Sequence, residues 1–322
     1  MMLMMASCNP FGDDDGLCGL DLRIRYDYNM EYADAFSTQV PSVDVFVFDA
    51  DGVFLLRKHA DGAELQTPDY RMQLYPELGA GKYKVMALAG LCDDYEILPM
   101  RRGLSTLYDL EVALKPGPVP GTYSGPMGHL WFGEAVDVAF SGSGWQTAPV
   151  NLIKNTNDFR VVARNLVPED PGTTTTAATP RAGTGVDPDD FELCITCDDG
   201  DYDCGNRPLG TGQTDYRAHH EAALTPTDYV GEVRTMRLLE NVPTRLVLRN
   251  VAEGKRMLDI DLMYYLRLMK SETVSSAMPM QEFLDRQSNY SLIFGGKYGN
   301  EGYIAISLTI NGWTVWFQNT DL

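Results

Sequence analysis

The sequence predicts an all-β protein built from β-sandwiches, and three of its features support this prediction. Residues 20–28 (LDLRIRYDY) alternate apolar and polar side chains, as a strand with one buried face does. Asn311-Gly312 separates two apolar runs near the C-terminus, and this dipeptide is a strong signal for a two-residue hairpin turn. Short strand-like runs recur along the chain with Gly, Pro, Asn and Asp between them, which is typical of sandwiches.

The length and composition indicate more than one domain. At 322 residues, of which 44% are hydrophobic, the chain has room for about two domains that each bury a core. The strand pattern breaks between Phe140 and Val150. We therefore expect domains at residues 18–147 and 148–322, preceded by an N-terminal segment of residues 1–17.

In the first predicted domain, a hairpin is the clearest element. Residues 43–48 and 53–56 are apolar runs on either side of the turn-forming stretch Asp49-Ala50-Asp51-Gly52. Further strands are predicted at residues 70–74, 83–89 and 107–114.

The second predicted domain contains strands and one helix. The helix is predicted at residues 279–286, with Pro near its start and with Phe283 and Leu284 facing inward. Residues 171–185, rich in Thr, Ala, Gly and Pro, are predicted to form a mobile loop. The predicted strands are residues 153–162, 191–196, 245–248, 257–260, 303–310 and 313–317.

The charge of the chain excludes several classes of partner. Its 45 acidic and 26 basic residues give a formal net charge of −19, which repels the phosphates of nucleic acids and anionic lipid headgroups. The sequence contains no basic patch and no stretch of about 20 apolar residues that would span a membrane. We therefore expect no nucleic-acid partner, and we expect any attachment to a membrane to be covalent.

The N-terminus suggests such a covalent attachment. Met5-Ala6-Ser7-Cys8 is similar to the end of a bacterial lipoprotein signal, where small residues precede the cysteine that receives the lipid. An acidic, glycine-containing stretch follows and indicates a flexible tether. The preceding apolar region is short, so we expect a truncated signal and lipidation at Cys8. The alternative is a disordered tail with an ordinary cysteine.

The other cysteines suggest disulfides rather than a metal site. Cys194, Cys197 and Cys204 resemble half of a zinc site, but a structural zinc needs four ligands. An exported protein folds in an oxidising compartment, so disulfides or incidental cysteines are favoured. Cys18 and Cys92, both near strands of the first domain, are our preferred pair, and the pairing of the other three stays open.

Nothing in the sequence indicates catalysis or a bound cofactor. Residues 199–203 alternate carboxylates, but Cys204 and Gly210 occupy the positions where a calcium loop has its glycine and its final acid. We interpret this stretch as a solvated acidic turn. The four histidines have no spacing typical of a nucleophile and its base. We expect no enzyme activity, no metal and no cofactor.

The tryptophans leave a second functional hypothesis open. Trp131, Trp145, Trp313 and Trp316 could form a platform on which sugars stack, although tryptophans on alternating strands more often belong to a core. This alternative is a glycan-binding tip adhesin or a surface lipoprotein for nutrient uptake.

Several short, uncommon sequence motifs also indicate one family. They are RYDYNM from residue 25, VFVFD from residue 45, KNTN from residue 154, FLDRQ from residue 283 and INGW from residue 310. In this order they resemble the Bacteroidales FimB-type fimbrial anchor family over residues 18–322. The resemblance implies two transthyretin-like β-sandwich domains, and the short helix predicted from residues 279–286 lies in the second. It also implies a lipid-anchored protein of the outer membrane and cell surface that anchors or terminates a fimbria, with fimbrial shaft or accessory subunits as partners.

Open sandwiches leave strand edges that can accept a strand from another subunit. The C-terminal strand is a candidate for such exchange, with Trp313, Val315 and Phe317 on one face and Thr314 and Trp316 on the other. We favour pairing of this strand within its own chain, because Asn311-Gly312 folds it back on the preceding strand.

Overall fold

The computed structural model describes residues 19–74, 77–167, 185–198, 200–210, 212–299 and 302–317. These residues form an all-β protein with three short α-helices, so the predicted fold class is confirmed. Cys8 and Cys18 lie outside the described residues, as do residues 171–184 of the predicted loop.

The elements are numbered here in chain order. The helices are α1 (Phe36–Gln39), α2 (Leu262–Thr273) and α3 (Met280–Arg286). The strands are β1 (Gly19–Arg25), β2 (Ser42–Asp49), β3 (Phe54–Asp61), β4 (Arg71–Gln73), β5 (Gly81–Ala89), β6 (Tyr95–Ile97), β7 (Val112–Leu114), β8 (Thr122–Ser124), β9 (Trp131–Phe140), β10 (Trp145–Lys154), β11 (Thr156–Ala163), β12 (Phe191–Asp198), β13 (Gln213–Arg217), β14 (His220–Ala223), β15 (Tyr229–Met236), β16 (Arg245–Asn250), β17 (Lys255–Asp261), β18 (Asn289–Gly299), β19 (Gly302–Ile310) and β20 (Trp313–Trp316).

The chain divides into two compact units. Unit 1 comprises Met1–Lys115, Gly128–Asn155 and Gly200–Gly210, and unit 2 comprises Pro116–Met127, Thr156–Asp199 and Thr211–Leu322. Each unit therefore contains a short segment whose sequence neighbours belong to the other. The boundaries predicted at residues 147 and 148 fall inside β10, and the division into two consecutive domains stays a prediction.

Unit 1 contains a seven-stranded sheet in the order β3-β2-β5-β9-β10-β1-β4. The β2–β3 hairpin predicted from the sequence is present, and Asp49 stabilises its turn by accepting hydrogen bonds from the backbone N–H groups of Asp51 and Val53. β1 pairs with β10 in parallel and with β4 in antiparallel orientation. The main apolar core of the unit includes Trp131, and alternate residues of β1, β2 and β5 contribute to it.

Unit 2 contains a six-stranded sheet, β14-β15-β11-β18-β19-β20, and a five-stranded sheet, β17-β16-β12-β13-β8. The predicted inward positions of α3 are confirmed, since Phe283 and Leu284 are buried. Next to them, the Asp285 carboxylate receives two hydrogen bonds of 2.7 and 2.8 Å from the guanidinium of Arg237.

Two strands predicted from the sequence are wrong. Residues 107–114 do not form one strand, because Leu107–Asp109 is a 3-10 turn that begins where the Asp109 carboxylate accepts a hydrogen bond from the Thr106 N–H. Residues 153–162 also do not form one strand, because β10 ends at Lys154 and β11 begins at Thr156.

Several elements of the chain were not anticipated, among them the strands β9, β15 and β18. The break expected between Phe140 and Val150 is confined to residues 141–144, and β10 starts directly after it. The longest helix, α2, was missed. Its N-terminus is capped by Asp261, whose carboxylate accepts from the Tyr264 N–H, and its buried face is built from Leu262, Tyr265, Leu266 and Met269.

Candidate docking surface

The last strand of the chain lies at an open sheet edge. β20 pairs antiparallel with β19 through the turn Asn311-Gly312, where both residues have positive φ, +48° and +91°. This is the backbone of the hairpin turn that favours Asn-Gly. The Asn311 side chain also binds β18, accepting a hydrogen bond from Ser291 N–H and donating one to Asn289 O.

The hydrogen bonds of the hairpin determine which backbone groups of β20 face outward. In a two-residue hairpin the residues that flank the turn, here Ile310 and Trp313, form a hydrogen-bonded pair, and such pairs then alternate along the ladder. Phe317 N–H donates to Ile306 O at 3.0 Å, which agrees with this alternation. The N–H and C=O groups of Thr314 and Trp316 therefore point away from β19. Within the described residues they form no backbone hydrogen bond.

The side chains of β20 also differ in solvent exposure between the two faces of the strand. Trp313, Val315 and Phe317 are half-buried, whereas Thr314 is exposed and Trp316 is 69% exposed. This agrees with the alternation predicted from the sequence. An exposed tryptophan on an unpaired edge is unusual, since natural edges are normally blunted by charge or proline.

An aromatic groove lies beside this edge. It has a volume of about 320 Å³ and is lined by residues of β17, α2 and the end of the chain. Tyr265 and Phe317 meet edge to face with ring centroids 5.6 Å apart, and Tyr264 packs on Tyr265 at 5.1 Å. Tyr264 is 54% exposed, so one wall of the groove presents an aromatic ring to solvent.

The carboxylates of the groove already have partners. The hydrogen bond from Arg245 holds the pKa of Asp259 below its usual range, and Arg256 adds a second contact at 2.7 Å. Asp261 caps α2. The groove therefore offers aromatic surface beside the carboxylate of Asp261, whereas the charge of Asp259 is balanced by two arginines. We call β20 and this groove the β20 docking surface.

The cysteines named from the sequence are distributed over the structure. Cys92 is exposed, and its Sγ lies 3.3 Å from Asp94 Oδ2. A disulfide between Cys18 and Cys92 stays a prediction, because Cys18 is not among the described residues. Cys194, Cys197 and Cys204 are buried free thiols. Burial raises the pKa of Cys194 to about 12 and also raises that of Cys197, so both are protonated and unreactive near neutral pH.

The segment around Asp203 is more ordered than a solvated turn. Asp203 accepts hydrogen bonds from the N–H groups of Gly205 and Arg207, and Tyr202 is fully buried. Asn206 exchanges side-chain hydrogen bonds with Asn155. The interpretation of residues 199–203 as a solvated turn is therefore wrong for Tyr202.

The four tryptophans do not share one environment. Trp131 is buried in the core of unit 1, and Trp145 is 43% exposed and donates from Nε1 to the Asp21 carboxylate at 2.8 Å. Trp313 and Trp316 lie on β20 in unit 2. Tyr264 and Tyr265, which line the groove, were not identified from the sequence. The pattern that could have revealed them is Asp261 followed by apolar residues at helical spacing.

The part of the chain that the structure describes contains no cluster of three metal-ligating side chains. In the same part, no helix combines the length and the apolar character needed to cross a membrane.

Comparisons with known proteins place this structure among fimbrial proteins. The family model of fimbrillin-A associated anchor proteins Mfa1 and Mfa2 matches residues 13–319. A candidate polysaccharide-binding protein from Bacteroides thetaiotaomicron is 35% identical with a TM-score of 0.80, and the match covers 95% of this chain and 100% of that one. A candidate adhesin from Bacteroides ovatus is 30% identical with a TM-score of 0.77, covering 94% and 96%.

The fimbrial anchor protein Mfa2 from Porphyromonas gingivalis shares the fold. Its TM-score is 0.68 at 16% identity, and the match covers 93% of this chain and 99% of that one. The search of curated proteins gives no match.

Proposed function

This chain belongs to the family of fimbrillin-A associated anchor proteins Mfa1 and Mfa2, and we propose that it anchors or terminates a fimbria at the outer membrane as a lipoprotein. The family is structural rather than enzymatic, and membership makes the chain a fimbria-associated protein of the cell surface that contacts other fimbrial subunits. The proposal concerns the anchoring role, the lipid and the way in which a subunit is held.

The open edge of β20 is the observation that supports the proposed contact with another fimbrial subunit. Thr314 and Trp316 direct unpaired backbone groups outward, so an extended segment of a fimbrial subunit can add to the six-stranded sheet through main-chain hydrogen bonds. Alternate side chains of the added strand would reach the aromatic groove beside Tyr264. Backbone pairing supplies affinity in this mode, and the groove supplies specificity.

The proposed lipid on Cys8 would supply the membrane end of the anchor. Support comes from the small residues before Cys8 and the acidic tether after it. Each buried methylene of an acyl chain contributes about 0.8 kcal/mol, so more than one chain gives lasting attachment. Metabolic labelling with a fatty-acid probe should mark the precursor and not its Cys8→Ala variant. Equal labelling of both would contradict lipidation at this residue.

Strand addition is tested by removing one outward N–H group. Thr314→Pro deletes the outward donor of β20 but leaves the hydrogen bonds to β19 intact, because Thr314 donates none to β19. Thr314→Val is the matched control, since it keeps the N–H and removes the same hydroxyl contact with Thr309. We expect cells with Thr314→Pro to release fimbriae into the medium and cells with Thr314→Val to retain them. Equal retention by both variants would exclude β20 as the docking edge.

A further inference from the structure

A second concave surface lies on the outer face of the six-stranded sheet in unit 2. This cleft has a volume of about 430 Å³, within the range of about 300–1,000 Å³ that small-molecule sites occupy. Its charged and polar side chains come from β11, β15, β18 and the residue before β14. They include Asp158, Arg160, His219, Glu232, Arg234 and Asn289. We call it the polar cleft.

The register of the sheet brings these side chains together. Asp158 and Arg160 are two residues apart on β11 and therefore share its outer face. Across the β11–β15 ladder, Asp158 pairs with Arg234 and Arg160 pairs with Glu232. His219 is connected to the same strand, because its N–H donates to Glu232 O at 2.9 Å.

One ion pair in the cleft is already formed. Arg234 Nε donates to Asp158 at 2.6 Å, and Arg234 also donates to Met127 O. This pair fixes the position of the Arg234 guanidinium on one side of the cleft.

Two charged groups of the cleft, those of Arg160 and Glu232, have no side-chain partner within the described residues. Arg160 and Glu232 face each other across the ladder but form neither an ion pair nor a side-chain hydrogen bond with any described residue. The Nδ1 atom of His219 is buried and unpaired. A buried polar atom without a partner is costly unless water or a ligand satisfies it. Burial and the nearby Arg234 lower the pKa of His219, so the ring is neutral near pH 7.

The balance of charge narrows the class of ligand. Two carboxylates and two guanidinium groups cancel, and His219 adds no charge at neutral pH. A phosphate or sulfate would need an excess of cationic groups, and a metal ion would need several free carboxylates or imidazoles. A neutral molecule with many hydroxyl groups needs instead a mixture of donors and acceptors, such as Arg160, Glu232 and Asn289 provide.

We propose that the polar cleft binds a neutral saccharide, with Arg160 and Glu232 hydrogen-bonded to sugar hydroxyl groups. This binding function goes beyond the anchoring of a fimbria, and it uses a surface that does not include Thr314 or Trp316. It therefore stands or falls separately from strand addition at β20.

Binding is tested with the full chain on an array of neutral oligosaccharides, namely malto-, cello-, xylo-, manno- and chito-oligosaccharides, with oligogalacturonates as acidic probes. Titration calorimetry then measures Kd for the saccharides retained. We expect Arg160→Gln and Glu232→Gln each to weaken binding by at least about tenfold, since each loses a charge-assisted hydrogen bond. Arg249→Gln is the matched control, because Arg249 is exposed on β16 in the other sheet. Thr314→Pro should bind as the wild type does.

Three results would overturn the proposal. They are the absence of binding to every neutral oligosaccharide, binding confined to the acidic probes, and equal binding by the wild type, Arg160→Gln and Glu232→Gln. Because two separate variants are tested, a folding defect in one of them, detected by its melting temperature, leaves the other to decide.

Discussion

The two units of this protein differ in how far the two faces of a sheet are buried. In the seven-stranded sheet of unit 1, all six interior residues of β2 are buried, so both faces of the strand are dry. In the six-stranded sheet of unit 2, Asp158 and Arg160 of β11 point away from the core and line an open cleft. β2 therefore packs against apolar residues on both of its faces. β11 packs on one face and presents the polar side chains of Asp158 and Arg160 on the other.

The dry second face of unit 1 depends on large aromatic residues. Phe46 and Phe48 are fully buried, and Phe54 contacts both rings at 6.4 and 5.7 Å between centroids. The charged exception is Asp44, which is buried and accepts hydrogen bonds from Arg57 and His59. In the polar cleft of unit 2, by contrast, Arg160 and Glu232 are left for a ligand. The comparison predicts that substitutions on the aromatic face of unit 1 change stability. It predicts that substitutions in the polar cleft of unit 2 change ligand binding.

The largest effect is expected for Phe48→Ala on the dry face of unit 1. Removal of a fully buried aromatic ring should lower the free energy of unfolding by about 3–5 kcal/mol. Urea unfolding followed by circular dichroism measures this loss. Phe48→Leu is the control and should lose less, because it fills part of the cavity. A loss below about 1 kcal/mol for Phe48→Ala would mean that this face is not a packed core.

A smaller effect is expected when β20 is removed by deleting residues 312–322. The described side chains of this segment are half-buried or exposed, so we expect a loss of about 1–3 kcal/mol. The truncated protein should also fail to retain fimbriae, because the docking edge is gone. A truncated protein that melts like the intact one but no longer retains fimbriae would indicate that β20 is donated to a neighbour rather than paired with β19.

The two sheet faces should also respond to pH in opposite directions. The hydrogen bond with Asp44 raises the pKa of His59, so its stabilising effect is complete below the unfolded pKa of about 6.5 and is lost as the pH rises through the folded pKa. Burial lowers the pKa of His219, so its contribution is present above about pH 6.5 and is lost as the pH falls.

Each of these pH effects should be below about 1 kcal/mol, because both rings are partly solvated. Melting temperatures between pH 5 and 8 measure them. His59→Gln should remove the decrease in stability towards high pH, and His219→Gln should remove the decrease towards low pH. Variants with pH profiles identical to the wild type would contradict these assignments.

The smallest effect on stability is expected for Arg160→Gln in the polar cleft. An exposed side chain without a partner contributes little to folding, so the free energy of unfolding should change by less than about 0.5 kcal/mol. Urea unfolding checks this, with Phe48→Ala measured in parallel. A loss of more than about 1 kcal/mol would show that Arg160 has a structural role and would remove the contrast between the two faces.

Local sequence patterns were sufficient for several elements. Alternation identified β1, and the apolar runs on either side of residues 49–52 identified the β2–β3 hairpin. Asn311-Gly312 identified the final hairpin, and its positive φ values explain why this dipeptide is needed. These elements are predictable because the interactions that form them connect residues close in sequence.

Other strands were hidden because their sequence features have a non-local cause. β18 contains Gly295 and Gly296, which usually indicate a turn. In the sheet, a Cβ on Gly296 would lie only 2.3 Å from the Tyr303 ring, and one on Gly295 would lie 2.5 Å from Ser307 Oγ. Side chains of β19 therefore occupy the space beside both glycines, and no residue within β18 indicates that neighbour.

The amino-acid sequence was enough to establish the all-β class, the closing hairpin and the family to which the chain is similar, since these rest on periodicity, turn residues and ordered sequence words. The functional surfaces required the folded structure. The aromatic groove joins Tyr264 of α2 to Phe317, and the polar cleft joins Arg160 to Glu232, 72 positions later in the chain. Their proximity depends on the register between strands far apart in sequence, which is set by packing of the whole unit and by no local pattern.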